Sequence, residues 1–143
     1  MIYKYIHIGE LIKQRNEEME IPINRMCAFL NCSEMEIREM YKSASMDTQL
    51  LLRWSKLLEY DFFRVYTQHL ILYAVPAKTG YNKPSAIKSG LPEFRKNIYT
   101  REVIDFIMEL IDTHQKTRQQ VMEEYRIPKT TLYKWYAKYK QRD

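Results

Sequence analysis

A chain of 143 residues, 45% of them apolar, has room for one domain or two small ones. It has no apolar run long enough to span a bilayer and no charged-then-apolar leader, so a soluble, cytoplasmic protein is expected. The net charge of +5 is uneven: residues 1–75 carry 9 Lys/Arg against 10 Asp/Glu, whereas residues 76–143 carry 14 against 8. A basic half of this kind points to a nucleic-acid partner.

Tyr3 to Ile8 is either a short strand or the lead-in to a helix. Gly9 to Met19 has helical spacing, with Leu11, Ile12, Arg15 and Met19 on related faces, and Pro22 ends or restarts it. Ile23, Met26, Cys27 and Leu30 give the next helix, closed by Asn31, a residue type that accepts the left-handed turn conformation. Ser33 with Glu36 three residues on is a capping box, which predicts a helix over Glu34 to Tyr41. Met46 to Tyr60 is a fourth helix, capped by Asp47 or Ser45, with Leu50, Leu51, Trp54, Leu57 and Leu58 on a broad apolar face. Asp61 caps a last segment from Phe62, too apolar for an isolated surface helix, whose end at Leu70 to Val75 is equally compatible with a strand. That apolar density, from Phe62 to Val75, predicts self-association as a homodimer.

Within this half, Met26-Cys27-x-x-Leu30-Asn31-Cys32-Ser33, Ile37, Leu51 and Trp54-Ser55-Lys56-Leu57-Leu58 resemble the phage-repressor-like helix-turn-helix domain. The resemblance covers residues 8 to about 66 and implies a five-helix domain. Its functional positions depart from the family. Ile23 stands where the family carries a phosphate-gripping Gln, and the recognition-helix position holds Glu34, Glu36 and Glu39 against Arg38 and Lys42. Carboxylates beside a phosphate backbone oppose binding, so a dimerisation or protein-contact role is expected for residues 1–75.

Cys27 and Cys32 lack metal-site spacing and are expected to be reduced thiols; His7, His69 and His114 are scattered. No catalytic residue, metal or cofactor is expected. Residues 76–97 hold Pro76, Pro84, Pro92, Gly80 and Gly90, with five Lys/Arg against Glu93, and read as a basic linker.

Thr100 caps the next predicted helix, with Val103, Phe106, Ile107, Leu110 and Ile111 inward and Glu102, Asp105, Glu109 and Asp112 outward. Thr117 and Gln120 form a second capping box, and Val121, Met122 and Tyr125 give a short amphipathic helix over Arg118 to Tyr125. Pro128 breaks it and suits the first turn of a new helix from about Lys129, with Leu132, Trp135, Tyr136 and Tyr139 on one face. The other face carries Lys129, Thr130, Tyr133, Lys134, Ala137 and Lys138, without a carboxylate. Two short helices joined by a tight turn, the second basic and outward-facing, predict a DNA-binding helix-turn-helix over residues 98–143.

With Tyr99 to Ile111, the run VMEEYRIPKTTLYKWYAKY resembles the N-terminal helix-turn-helix of insertion-sequence transposases, matching at Ile127, Thr131, Leu132, Tyr133 and Trp135. Arg126 stands where that family has Gly and must take the turn conformation that Gly takes freely; Pro128 replaces Ser or Thr. Transposases also use a carboxylate triad for metals. It sits on a strand-rich fold of its own, for which this chain is expected to have no room, so the outward acids of Glu102 to Asp112 read as a solvated face. The resemblance implies a transposon-associated DNA-binding protein, or a transcriptional regulator derived from one. Lys129, Thr130, Tyr133 and Lys134 are the base-reading candidates in a major groove. Thr117, Arg118, Thr131 and Lys138 are the phosphate-contact candidates, and Leu132 and Trp135 hold the helix in place. The fold expected is all-α, two helical domains on a basic linker, with double-stranded DNA as partner and no membrane or small-molecule substrate. The alternative is an assembly or adaptor protein acting through the N-terminal half.

Overall fold

The computed structural model describes residues 2–74, 90–92 and 99–139. Among them the chain is all-α, with eight helices and no strand: α1 Ile8–Met19, α2 Ile23–Leu30, α3 Glu34–Lys42, α4 Thr48–Leu57, α5 Phe63–Tyr73, α6 Arg101–Asp112, α7 Arg118–Glu124 and α8 Lys129–Tyr139. None is long and apolar enough to cross a membrane. Most of the linker expected at residues 76–97 lies outside the described residues. The chain forms two compact units, Met1–Thr67 and Gln68–Asp143, so the division falls inside α5.

Local side-chain chemistry sets the helix starts in the first unit. Ser33 and Glu36 form the reciprocal capping box at α3, with Ser33 N–H donating to Glu36 Oε2 at 2.6 Å and Glu36 N–H to Ser33 Oγ at 3.2 Å. Those bonds, backbone first, hold the Glu36 carboxyl below the usual carboxylate range. Asp47 caps α4 through Gln49 and Leu50 N–H. Asp61 Oδ1 accepts from Phe63 N–H, so α5 starts at Phe63, one residue later than its apolar pattern suggests. Asn31 closes α2 at φ 53°. Residues 2–5 form turns leading into α1, and Leu70 to Tyr73 are helical, which removes both strand alternatives; Val75 lies outside the described residues.

The first unit packs α1 on α3 and α2 on α4. Its core holds Ile8, Ile12, Met26, Leu30, Ile37, Leu51, Trp54, Leu57, Leu58 and Phe62. Gly9 permits the α1–α3 approach: a Cβ there would meet the carbonyl oxygens of Met40, Tyr41 and Ser43 at 2.4, 2.5 and 2.7 Å. The same approach lets Gly9 N–H donate to Ser43 O at 3.0 Å. Arg53 reaches from α4 to the free end of α2, donating to the carbonyls of Phe29 and Leu30. A cation there complements the helix C-terminus.

In the second unit, α6 contributes Val103, Ile104, Ile107, Met108 and Leu110 as buried residues. Ile104 and Met108 are buried in addition to the expected positions, while Phe106 and Ile111 are only part-buried. Val121, Ile127, Leu132, Trp135 and Tyr136 complete the buried set from α7 and α8. Tyr99 meets Trp135 edge-to-face, ring centroids 5.0 Å apart, at the start of α6. Arg101 lies 4.3 Å from the Tyr139 ring centroid and pairs with Asp105 at 2.9 Å.

Candidate nucleic-acid interface

The capping box at Thr117 starts α7: Gln120 N–H donates to Thr117 Oγ1 at 3.1 Å, and Thr117 N–H to Gln120 Oε1 at 2.9 Å. Thr117 Oγ1 is therefore engaged in the cap. Lys116, just before it, pairs with Glu124 at the far end of α7 and lies 5.8 Å from the Tyr125 ring. Hydrogen bonding to Glu124 is the first cause that holds the Lys116 ammonium above its ordinary range. Arg126 then turns the chain at φ 52°, the left-handed conformation anticipated for this position, and α8 begins at Lys129 directly after Pro128.

The two faces of α8 separate as their residue types require. Leu132, Trp135 and Tyr136 are buried, and Tyr139 and Thr131 are part-buried. Lys129, Thr130, Tyr133, Lys134, Ala137 and Lys138 are exposed. Of the expected site residues, the structure brings Lys129, Thr130, Tyr133, Lys134 and Lys138 onto one solvent-facing surface. Thr131 lies at its margin.

Arg118 projects from α7 onto this helix. Its guanidinium carbon is 4.3 Å from the Tyr136 ring centroid and 5.7 Å from that of Tyr133. The neighbouring Tyr136 first, then Tyr133, raise the guanidinium pKa above its ordinary value. Burial pushes the Tyr136 hydroxyl's own pKa up. Lys129 Nζ also lies near the Tyr133 ring, 5.6 Å from its centroid. The Arg118–Tyr136 stacking has no local sequence signal, because 18 positions and a turn separate the pair.

The electrostatic contrast with α3 is direct. There Arg38 pairs with Glu34 at 2.5 Å and Lys42 with Glu39 at 2.9 Å, so both cations are neutralised in place. Among the described residues, Lys129, Lys134 and Lys138 form no ion pair, and Arg126 is exposed at the turn beside them. Arg126 is a further exposed cation, in the turn before α8, that helix periodicity does not find, since it lies between helices. No group of three or more His, Cys, Asp or Glu able to hold a metal occurs among the described residues.

Comparison with protein-family models, curated proteins and solved structures finds no match.

Proposed function

We propose that the second unit is a helix-turn-helix that binds double-stranded DNA in a sequence-specific way, with α8 in the major groove. The observation that carries this reading is the solvent-facing surface of α8. It presents Lys129, Lys134 and Lys138 without a carboxylate and without an ion pair among the described residues. Free cations on a helix narrow enough for the groove supply the phosphate attraction, and the side chains between them reach base edges. With the transposase-like run at Ile127 to Trp135, this supports a transposon-associated DNA-binding protein or a regulator derived from one.

The first unit supports a different role. Its α3 cations are spent on Glu34 and Glu39, while Met35, at 74% exposure, and Phe29 and Leu52 remain on the surface. Apolar groups beside internally paired charges suit protein contact, which includes the homodimer and adaptor readings. Part of the apolar segment behind the dimer expectation is absorbed within the chain: Phe62, Val65 and Leu72 are buried, while Leu70 is 62% exposed.

The test is selection of bound sequences from a random duplex pool by the full chain. A shared motif supports the reading. Recovery of unrelated sequences, or of none, overturns it and leaves protein contact as the function.

A further inference from the structure

The exposed surface of α8 has an internal order. At about 100° per residue, Tyr133, Ala137 and Thr130 fall within one arc of about 60°. Lys129 lies about 40° outside that arc on one side, and Lys134 about 40° outside on the other, with Lys138 beyond it. The cations therefore flank a central stripe whose contact groups are an aromatic ring and two methyls. In a helix laid in a groove, the centre and the residues next to it, Lys129 and Lys134, meet the base edges, and Lys138, farther round, meets a phosphate wall.

Tyr133 is held in place on this stripe. It is 46% exposed, yet its ring has Arg118 at 5.7 Å and Lys129 at 5.6 Å. Arg118 is itself anchored on the buried Tyr136 ring at 4.3 Å. Two cation–π contacts restrict a side chain that would otherwise sample several rotamers. A fixed apolar edge at the centre of the face matches one feature of the major groove above others, the C5-methyl of thymine.

We infer that the second unit recognises thymine C5-methyl groups in duplex DNA through Tyr133 and Ala137, with Arg118 as the positioning residue that fixes the Tyr133 ring. This rests on the duplex-DNA reading of α8. It assigns Arg118 to holding a reader rather than to gripping phosphate.

The experiment replaces each thymine of a selected duplex by deoxyuridine, one at a time, and measures binding of the full chain at several salt concentrations. Removing one buried methyl weakens binding about fourfold. The expected result is such a loss at one or two positions, with an unchanged salt slope, since no phosphate contact is removed. Tyr133→Phe should keep the thymine-to-deoxyuridine ratio, and Tyr133→Ser should abolish it at one position. Arg118→Ala should shrink the ratio and leave the slope unchanged. A slope lower by about one with the ratio intact makes Arg118 a phosphate contact and overturns its positioning role. If every deoxyuridine duplex binds like its parent, methyl recognition is wrong while DNA binding stands. If no duplex binds, the DNA reading fails and the inference falls with it.

Discussion

Gln68 of α5 accepts a hydrogen bond at Oε1 from the backbone N–H of Thr100, 3.3 Å away, and is 2% exposed. Thr100 is the N-cap of α6, its Oγ1 accepting from Val103 N–H at 3.4 Å. The contact lies within the second unit, which begins at Gln68. Gln68→Leu should destabilise that unit by about 1–2 kcal/mol, because it strands a donor that the native side chain satisfies. Urea unfolding, followed by Trp135 fluorescence in a Trp54→Phe background, measures this. An unchanged midpoint would show that the contact contributes nothing.

Gly9 yields a prediction whose sign is opposite to its local propensity. Within a helix, Gly→Ala ordinarily stabilises by up to about 1 kcal/mol. Here the new Cβ would press on three backbone carbonyls at 2.4–2.7 Å, none of which is a flexible side-chain end. Gly9→Ala should therefore lower stability by about 1–3 kcal/mol through overpacking. A variant as stable as the parent in thermal unfolding would mean that α1 and α3 do not approach this closely.

Arg126 carries the reverse sign. At φ 52° a non-glycine residue pays a steric cost that glycine avoids. Arg126→Gly should raise stability by about 0.5–1 kcal/mol after the unfolded-state entropy of glycine is offset. Differential scanning calorimetry of the two proteins reads it, and a lower melting temperature would contradict the turn geometry.

The Cys32 thiol has its pKa raised by burial first and by the neighbouring Cys27 second. A raised pKa keeps the thiol protonated near neutrality, and the thiolate is the reactive form. In a Cys27→Ser protein, iodoacetamide should modify Cys32 more slowly than it modifies glutathione at pH 7.5. Burial should still displace the rate profile to higher pH. A profile at or below that of glutathione rules the shift out.

These contacts separate what the sequence discloses from what it hides. The capping boxes at Ser33 and Thr117, the caps at Asp47, Asp61 and Thr100, and the left-handed turn at Asn31 were all legible, because each joins residues within four positions. The division of α8 into buried and exposed faces was legible for the same reason: helical period fixes it once the start at Pro128 is known. Gly9, Gln68, Arg53 and Arg118 were not. Each acts on a partner 15 or more positions away, and nothing in the local pattern separates Gly9 from a weak helix residue or Gln68 from a surface amide. The apolar run from Phe62 meets a related limit. Phe62, Val65 and Leu72 are buried within the chain while Leu70 is exposed, and periodicity cannot distinguish cover by the chain from cover by a second copy.

The central claim, that α8 reads duplex DNA, is tested most directly by comparing Lys134→Ala and Lys138→Ala on a panel of singly substituted sites at several salt concentrations. Both lysines are exposed, so neither change should disturb the fold. Lys134 lies one turn past Thr130, within reach of a base edge, where a contact is worth about 1–3 kcal/mol of discrimination. Lys138 lies a turn further along, where the helix leaves the groove. Lys134→Ala should relax specificity at one or two base pairs, whereas Lys138→Ala should weaken all sites alike and lower the salt slope by about one. Binding of both variants indistinguishable from that of the parent would contradict the assignment of α8 to DNA.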